Sequence, residues 1–166
     1  IFDWDGTLMD SAGHIVASIQ AAASDMGLSV PDSERASYII GLGLREALLH
    51  LFPELPEPDH PHLADRYRHH YLGQDHAIPL FAGAETMLRN LAGRGARLAV
   101  ATGKSRKGLD RALAYSGLSE LFEVTRTADE AFSKPHPAML EMILDETGVS
   151  ARQALMIGDT THDLQM

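Results

Sequence analysis

An α/β fold is predicted, with a parallel sheet covered by helices on both faces and a helical segment inserted after the first strand. Three observations predict it. Short, continuous apolar runs recur at Ile1–Trp4, Arg97–Ala101, Leu121–Thr125 and Ala154–Ile157, the pattern of strands buried on both faces. From Ala84 onward these runs alternate with helical patterns, which points to a parallel sheet. Between the first run and the second, residues 13–77 read as helix only.

Taken in order, the first run ends in Asp5-Gly6-Thr7, a turn signal. Ile15, Val16, Ile19, Ala22, Ala23 and Met26 then fall at three- and four-residue steps and predict a helix from Ser11, with Gly27 placed to end it. Pro31-Asp32-Ser33 opens a second helix running to Ile40, and Gly41-Leu42-Gly43 interrupts it. Leu44–Phe52 is a third helix. Pro53, Pro56, Pro58 and Pro61 mark a loop over 53–61, and Leu63–Leu72 is a fourth helix. Later helices are predicted over Ala84–Leu91, over Arg106–Ser116 with its stop at Gly117, and over Pro137–Glu146 with its stop at Gly148. No internal repeat or low-complexity segment is visible. Residues 1–12 and 78–166 are therefore expected to form the α/β core, and residues 13–77 an inserted helical domain.

The chain has 166 residues, 45% hydrophobic and 22% charged, ordinary globular values for about one domain. Lys and Arg number 14 against 23 Asp and Glu, a formal charge of −9. That argues against a nucleic-acid partner, which wants a basic face. An anionic substrate stays open, because a bound cation can reverse the local field. There is no cysteine, so disulfides, zinc–thiolate sites and a cysteine nucleophile are excluded, and a cytoplasmic location fits. No apolar run approaches the ~20 residues of a membrane span, so no membrane partner is expected. No basic stretch precedes an apolar one at the N-terminus, so no signal peptide is read. The chain starts on Ile1-Phe2 without Met and stops shortly after Asp163, which reads as trimming at both ends.

In open parallel sheets, ligands bind beyond the carboxyl ends of the strands. Asp3, Asp5, Gly6 and Thr7 end the first strand, and Thr102, Gly103, Lys104 and Ser105 follow the second. Gly158, Asp159 and Asp163 follow the last, and Ser133-Lys134-Pro135 precedes the helix leading into it. Four connections would thus converge on one sheet edge. Carboxylates this close cannot all stay ionised without a cation, and oxygen ligands of this kind suit Mg²⁺. Asp3 and Asp5 stand two apart and can face one side of an extended segment. One could attack phosphorus, an established carboxylate route, while the other manages the proton. Lys134 could offset negative charge, and Thr102 with the N–H groups after it could hold a phosphate oxygen. Singly, each pattern has a plain reading as a turn, a cap or a solvated lysine; together, in this order, they point to phosphoryl transfer.

Phe2-Asp3-Trp4-Asp5-Gly6-Thr7-Leu8, Ala101-Thr102-Gly103-Lys104-Ser105, Ser133-Lys134-Pro135-His136-Pro137 and Ile157-Gly158-Asp159-Thr160-Thr161-His162-Asp163 resemble the four motifs of the haloacid dehalogenase superfamily. The resemblance spans nearly the whole chain. It implies a Rossmann-like core with an inserted helical cap, and within the superfamily it is nearest to phosphoglycolate phosphatase-like members. By that resemblance Asp3 is the nucleophile, Asp5 the general acid/base and Lys134 the residue that stabilises nucleophile and phosphoryl group. Thr102, with Gly103 and Lys104, binds phosphate. Asp3, the Asp5 backbone carbonyl, Asp159 and Asp163 serve the Mg²⁺, Asp163 through a metal-bound water or by orienting Lys134. Trp4 is bulkier than the apolar residue usual at its place, and the chain stops before the strand and helix that usually follow the fourth motif.

The activity implied is Mg²⁺-dependent hydrolysis of a small phosphorylated metabolite through an aspartyl-phosphate. A β-phosphoglucomutase-like isomerase shares core and cap and is the main alternative. Dehalogenases of the superfamily lack a carboxylate at the place of Asp5. A bacterial receiver domain lacks both the long helical insertion and the Asp-x-Asp-Gly-Thr run. Arg45, just after Gly41-Leu42-Gly43-Leu44, is either an exposed helix-start residue or a contact for a substrate's carboxylate or second phosphate. His60, His62, His69, His70 and His76 read as a solvated polar face rather than a metal site. Tyr67 and Tyr71 read as packing residues, and Arg106, Lys107 and Arg111 as solvent-facing.

Overall fold

The computed structural model describes residues 1–73, 75 and 78–166. Four helices come first: α1 (Ala12–Asp25), α2 (Ser33–Tyr38), α3 (Leu44–Leu51) and α4 (His60–Leu72). Then α5 (Ala84–Gly93), β1 (Ala99–Thr102), α6 (Arg106–Ser116), β2 (Val124–Thr127), α7 (Ala138–Thr147) and the short α8 (Thr161–Leu164) complete the fold. Among the described residues no helix is long and apolar enough to cross a membrane.

The sheet is parallel and narrower than expected. β1 and β2 pair from Ala99 with Val124 to Thr102 with Thr127. Phe2 continues the sheet beyond β1 through a single parallel bridge to Val100, and bridges Ile157 on its other side. The predicted strand at Ile1–Trp4 is short because the Trp4 carbonyl leaves the ladder. It accepts the Leu8 and Met9 N–H groups, each at 3.0 Å, and starts the turn that carries Asp5. The predicted Ala154–Ile157 strand likewise shrinks to its Ile157 bridge. Its Leu155 and Ile157 are exposed, so this segment is not covered on both faces.

The helices follow local chemistry. The Asp32 carboxylate accepts the Arg35 N–H at 2.8 Å and caps α2. Ser105 caps α6 through the Gly108 N–H at 3.3 Å. Pro61, read from sequence as part of a loop, lies in the first turn of α4. A proline is tolerated there because its missing N–H would have had no helical partner.

Helices α1 to α4 enclose an apolar cluster of their own around Ile19, Ala22, Leu48 and Leu63. Trp4, Leu8, Leu88, Val100, Leu109 and Leu118 form a second cluster on one face of the sheet. Ala101, Met139 and Ile143 form a third. Burying Trp4 completely shows why a bulky residue is accepted there: its ring packs edge-on to Phe122. Packing between the helical segment and the sheet brings Gly43 N to 2.7 Å from Ser133 Oγ. The His162 Nε2 likewise reaches the Tyr38 carbonyl at 2.9 Å.

Candidate active site

Asp3 stands where the first sheet segment ends, its N–H donating to the Ile157 carbonyl at 2.9 Å. Thr102 ends β1, and Asp159 lies two residues beyond Ile157. Lys134 enters from the loop before α7. Lys134 Nζ lies 2.7 Å from Asp3 Oδ1 and 2.6 Å from Asp163 Oδ1, and all three side chains are 0% exposed. The other Asp163 oxygen accepts the Thr160 N–H at 3.1 Å and the Thr160 hydroxyl at 2.8 Å. That capping box starts α8 and fixes the carboxylate.

Asp3 differs from Asp163. Neither of its oxygens has a hydrogen-bond donor among the described residues; Lys134 meets it as an ion pair without hydrogen-bond alignment. Burial pushes the Asp3 carboxyl up to about 7, with Lys134 pulling it down and Asp163 adding to the rise. Asp3, Asp159 and Asp163 each place a carboxylate oxygen within 4.8 Å of the others. One ammonium thus faces three carboxylates. Unpartnered buried oxygens, excess negative charge and an all-oxygen donor set fit a hard divalent cation.

Two glycines make this packing possible. Gly6 has φ +83, and a Cβ there would run into the Asp159 carboxylate. A Cβ on Gly158 would run into Asp163. Thr7 adds a hydroxyl donor to Asp159 Oδ1 at 2.8 Å.

The Asp5 side chain is not in this cluster. Its Oδ1 accepts the Ser11 hydroxyl at 2.7 Å and Lys104 Nζ at 2.8 Å. Its Oδ2 accepts Lys104 at 3.0 Å. Of the expected Asp5 metal contact, only the backbone carbonyl is therefore free of these partners. Lys104 also donates to the Tyr71 hydroxyl at 2.9 Å. Burial pulls the Lys104 ammonium down, but Asp5 and Tyr71 outweigh it and hold the group above the ordinary lysine range. Thr102 is fully buried, and its hydroxyl accepts the Lys104 N–H at 3.3 Å. At Gly103 the two parts of the chain come close: a Cβ there would strike the Gly41 and Leu42 carbonyls.

A cavity of about 540 Å³ lies between the helical segment and the core, with Asp5, Lys104, Tyr67, Tyr71 and Arg111 in its lining. Arg45 also lines it. Its side chain is 68% exposed, however, and reaches Glu57 at 3.3 Å. Asp3, Lys134, Asp159 and Asp163 come together as one group; Asp5, Thr102, Gly103 and Lys104 form its neighbour; Arg45 stays at the rim.

Several residues escaped sequence reasoning. Tyr71, read as packing, also bonds Lys104, and Ser11 bonds Asp5. Nothing in a tyrosine pair at helical spacing distinguishes these roles. Arg106 and Arg111 are not simply solvent-facing. Arg106 bonds Glu130, Asp110 and Thr125, and Arg111 pairs with Asp75 at 3.1 Å. Of the histidines, His62 and His69 are exposed, His70 meets Asp25 and His60 is buried; His76 lies outside the described residues. Among the described residues no histidine joins a metal-binding group.

The haloacid dehalogenase-like hydrolase family matches residues 1–166. A probable phosphatase from Dickeya dadantii is 34% identical over 172 residues, covering all of this chain and 74% of that protein. A phosphoglycolate phosphatase from Aliivibrio fischeri is 31% identical over 173 residues, covering 99% of this chain and 76% of that one. The chain spans little more than half, 56%, of a tyrosine-protein kinase from Mycobacterium tuberculosis that is 34% identical. The crystal structure of a predicted phosphoglycolate phosphatase from Haemophilus somnus superposes with a TM-score of 0.81 at 26% identity, covering 99% of this chain and 77% of that one.

Proposed function

We propose a reaction from one premise: the chain belongs to the haloacid dehalogenase-like hydrolases and is a phosphatase of that family. The reaction is Mg²⁺-dependent hydrolysis of a small phosphorylated metabolite, in the manner of a phosphoglycolate phosphatase. The observation that carries it is Asp3: a fully buried carboxylate without a hydrogen-bond donor, facing Lys134 and flanked by Asp159 and Asp163.

In the first step an Asp3 oxygen bonds to phosphorus while the P–O bond to the leaving group breaks. Asp5, ion-paired with Lys104 in the resting chain, must take up a proton with substrate bound and gives it to the leaving oxygen. In the second step water attacks phosphorus, Asp5 takes its proton, and the bond between Asp3 and phosphorus breaks to free phosphate. Lys134 balances charge on Asp3 and on the phosphoryl oxygens, and Thr102, with the backbone of Gly103 and Lys104, holds the phosphate side of the substrate. Asp3, Asp159, Asp163 and the Asp5 carbonyl would hold the Mg²⁺, which when bound draws charge from the phosphoryl oxygens. Residues 13–77 act as a cap over residues 1–12 and 78–166, a division supported by the separate apolar cluster of the helical segment. A cytoplasmic setting is supported by a chain without cysteine.

The test is a screen of phosphorylated metabolites with and without Mg²⁺, read as released phosphate. Release should require the metal and favour small carboxylated or sugar phosphates. A panel yielding rearranged sugar phosphate and no free phosphate would replace the hydrolase with an isomerase.

A further inference from the structure

We infer that Tyr71 is a positioning residue for Asp5, acting through Lys104, so that seating of the helical segment sets the direction of the acid/base group. The inference rests on the phosphatase reading above and deepens it. An ammonium has three N–H donors. Two on Lys104 go to the two Asp5 oxygens, at 2.8 and 3.0 Å, and the third goes to the Tyr71 hydroxyl at 2.9 Å. The Lys104 side chain is 8% exposed, so most of its surface is held by protein. A lysine is a point charge on a flexible stem, and two bonds to one small carboxylate leave its swing about that carboxylate unfixed. Tyr71 supplies the remaining anchor from another part of the fold.

That anchor is itself held. The Tyr71 ring stacks on Tyr67 at 5.6 Å and meets the His14 ring at 4.9 Å. Its carbonyl accepts the His14 Nε2 at 2.8 Å, which ties α4 to α1. Ser11, at the root of α1, donates to the Asp5 Oδ1 as well, at 2.7 Å. Asp5 is therefore clamped between the root of the helical segment and a core lysine whose aim is referenced to α4. Displacing α4 would free Lys104 and let the carboxyl turn away from the leaving oxygen.

Tyr71→Phe keeps the ring and its packing and removes only the hydroxyl. Phenyl phosphate and 4-nitrophenyl phosphate have similar shapes, but the phenolate departs poorly without a proton while the nitrophenolate does not need one. Tyr71→Phe should lower kcat/KM about tenfold on phenyl phosphate and less than twofold on 4-nitrophenyl phosphate, since misdirected proton transfer forfeits part of a general-acid effect. Lys104→Met removes the link itself and, because Lys104 also belongs to the phosphate side of the site, should lower both esters; adding Tyr71→Phe to it should cost phenyl phosphate nothing more. Equal losses on both esters from Tyr71→Phe alone, no loss on phenyl phosphate, or additive losses in the double variant would overturn the inference. If the unaltered chain releases phosphate from neither ester and from no metabolite of the panel, the phosphatase reading fails and the inference goes with it.

Discussion

Lys134 meets two carboxylates, Asp3 at 2.7 Å and Asp163 at 2.6 Å, and all three side chains are fully enclosed. Lys104 meets one, Asp5 at 2.8 Å, at the wall of an open cavity. The two lysines thus serve sites of different charge balance. The Lys104 pair is neutral and fully bonded. With Asp159 added, the Lys134 group carries more negative charge than its ammonium can offset. A buried ion pair breaks even only when geometry and extra hydrogen bonds compensate lost hydration. Asp163 has such bonds from Thr160; Asp3 has none. The imbalance marks where a cation and a phosphoryl group belong, and the balanced pair marks where a side chain is held for proton work.

The largest way to break this contrast is Asp3→Asn. It removes the attacking charge while nearly keeping the shape, so turnover should fall at least ~10³-fold. Metal-free stability should hold or rise, because one uncompensated buried carboxylate disappears. A variant with a tenth of the original turnover would remove Asp3 from the nucleophile's place.

Metal sharpens the comparison next. Mg²⁺ should raise the thermal midpoint, with a stabilisation of about 2.7 kcal/mol at a hundred times its dissociation constant. Asp159→Asn should suppress that shift, whereas Lys104→Met, on the neutral side, should leave it in place. Equal suppression by both would erase the distinction between the two groups. Ca²⁺ should support turnover poorly, since its looser coordination lets a carboxylate bind through both oxygens.

Acidity offers a smaller effect of definite sign. Folded Asp3 titrates at about 7, against 3.8 as its ordinary value. Between these values the folded chain holds the extra proton. That stabilisation is complete below 3.8 and is lost as pH rises through about 7. Without metal, stability should therefore fall with rising pH over this window, by at most about 1.4 kcal/mol per pH unit for one group. Urea melts in chelator at several pH values would show it, and Asp3→Asn should flatten the trend. A slope of the opposite sign would contradict the burial argument.

The members of the Lys134 group could be read from the sequence, but not their separation from the Lys104 pair. Strand ends place chemistry by topology, so Asp3, Thr102 and Asp159 were legible from the apolar runs and the polar residues at their ends, and Lys134 from the motif ahead of the helix that leads into the last run. Helix spans were also legible, because apolar spacing and caps such as Asp32 are local signals. Partners joined across the fold were not. Tyr71 and Lys104 stand far apart in the chain, and neither pattern names the other. Pro61 misled because the same residue suits a loop and a first helical turn. The outer sheet segments misled because an apolar run does not reveal how soon its carbonyls turn to another partner, as Trp4 does.

Arg45 tests the outer limit of the neutral side. From sequence it was either an exposed helix-start residue or a contact for a substrate's carboxylate or second phosphate, where a charged hydrogen bond would be worth about 1.5–3 kcal/mol. In the structure it lines the cavity, yet its side chain is 68% exposed and 3.3 Å from Glu57, itself 80% exposed. An exposed pair of this kind contributes about 0–1 kcal/mol to stability, so Arg45→Ala should barely move the thermal midpoint. Its effect on catalysis should also be the smallest of the series. To meet substrate, the guanidinium must leave Glu57 and give up its hydration, which offsets part of any new bond. The expected outcome is a severalfold rise in KM for a carboxylated phosphate ester, with kcat unchanged and 4-nitrophenyl phosphate unaffected. Glu57→Gln, by releasing the guanidinium, should shift KM for the same ester the other way. If both variants leave KM untouched on every ester, Arg45 belongs to the surface and specificity lies deeper, among the residues beside Tyr71.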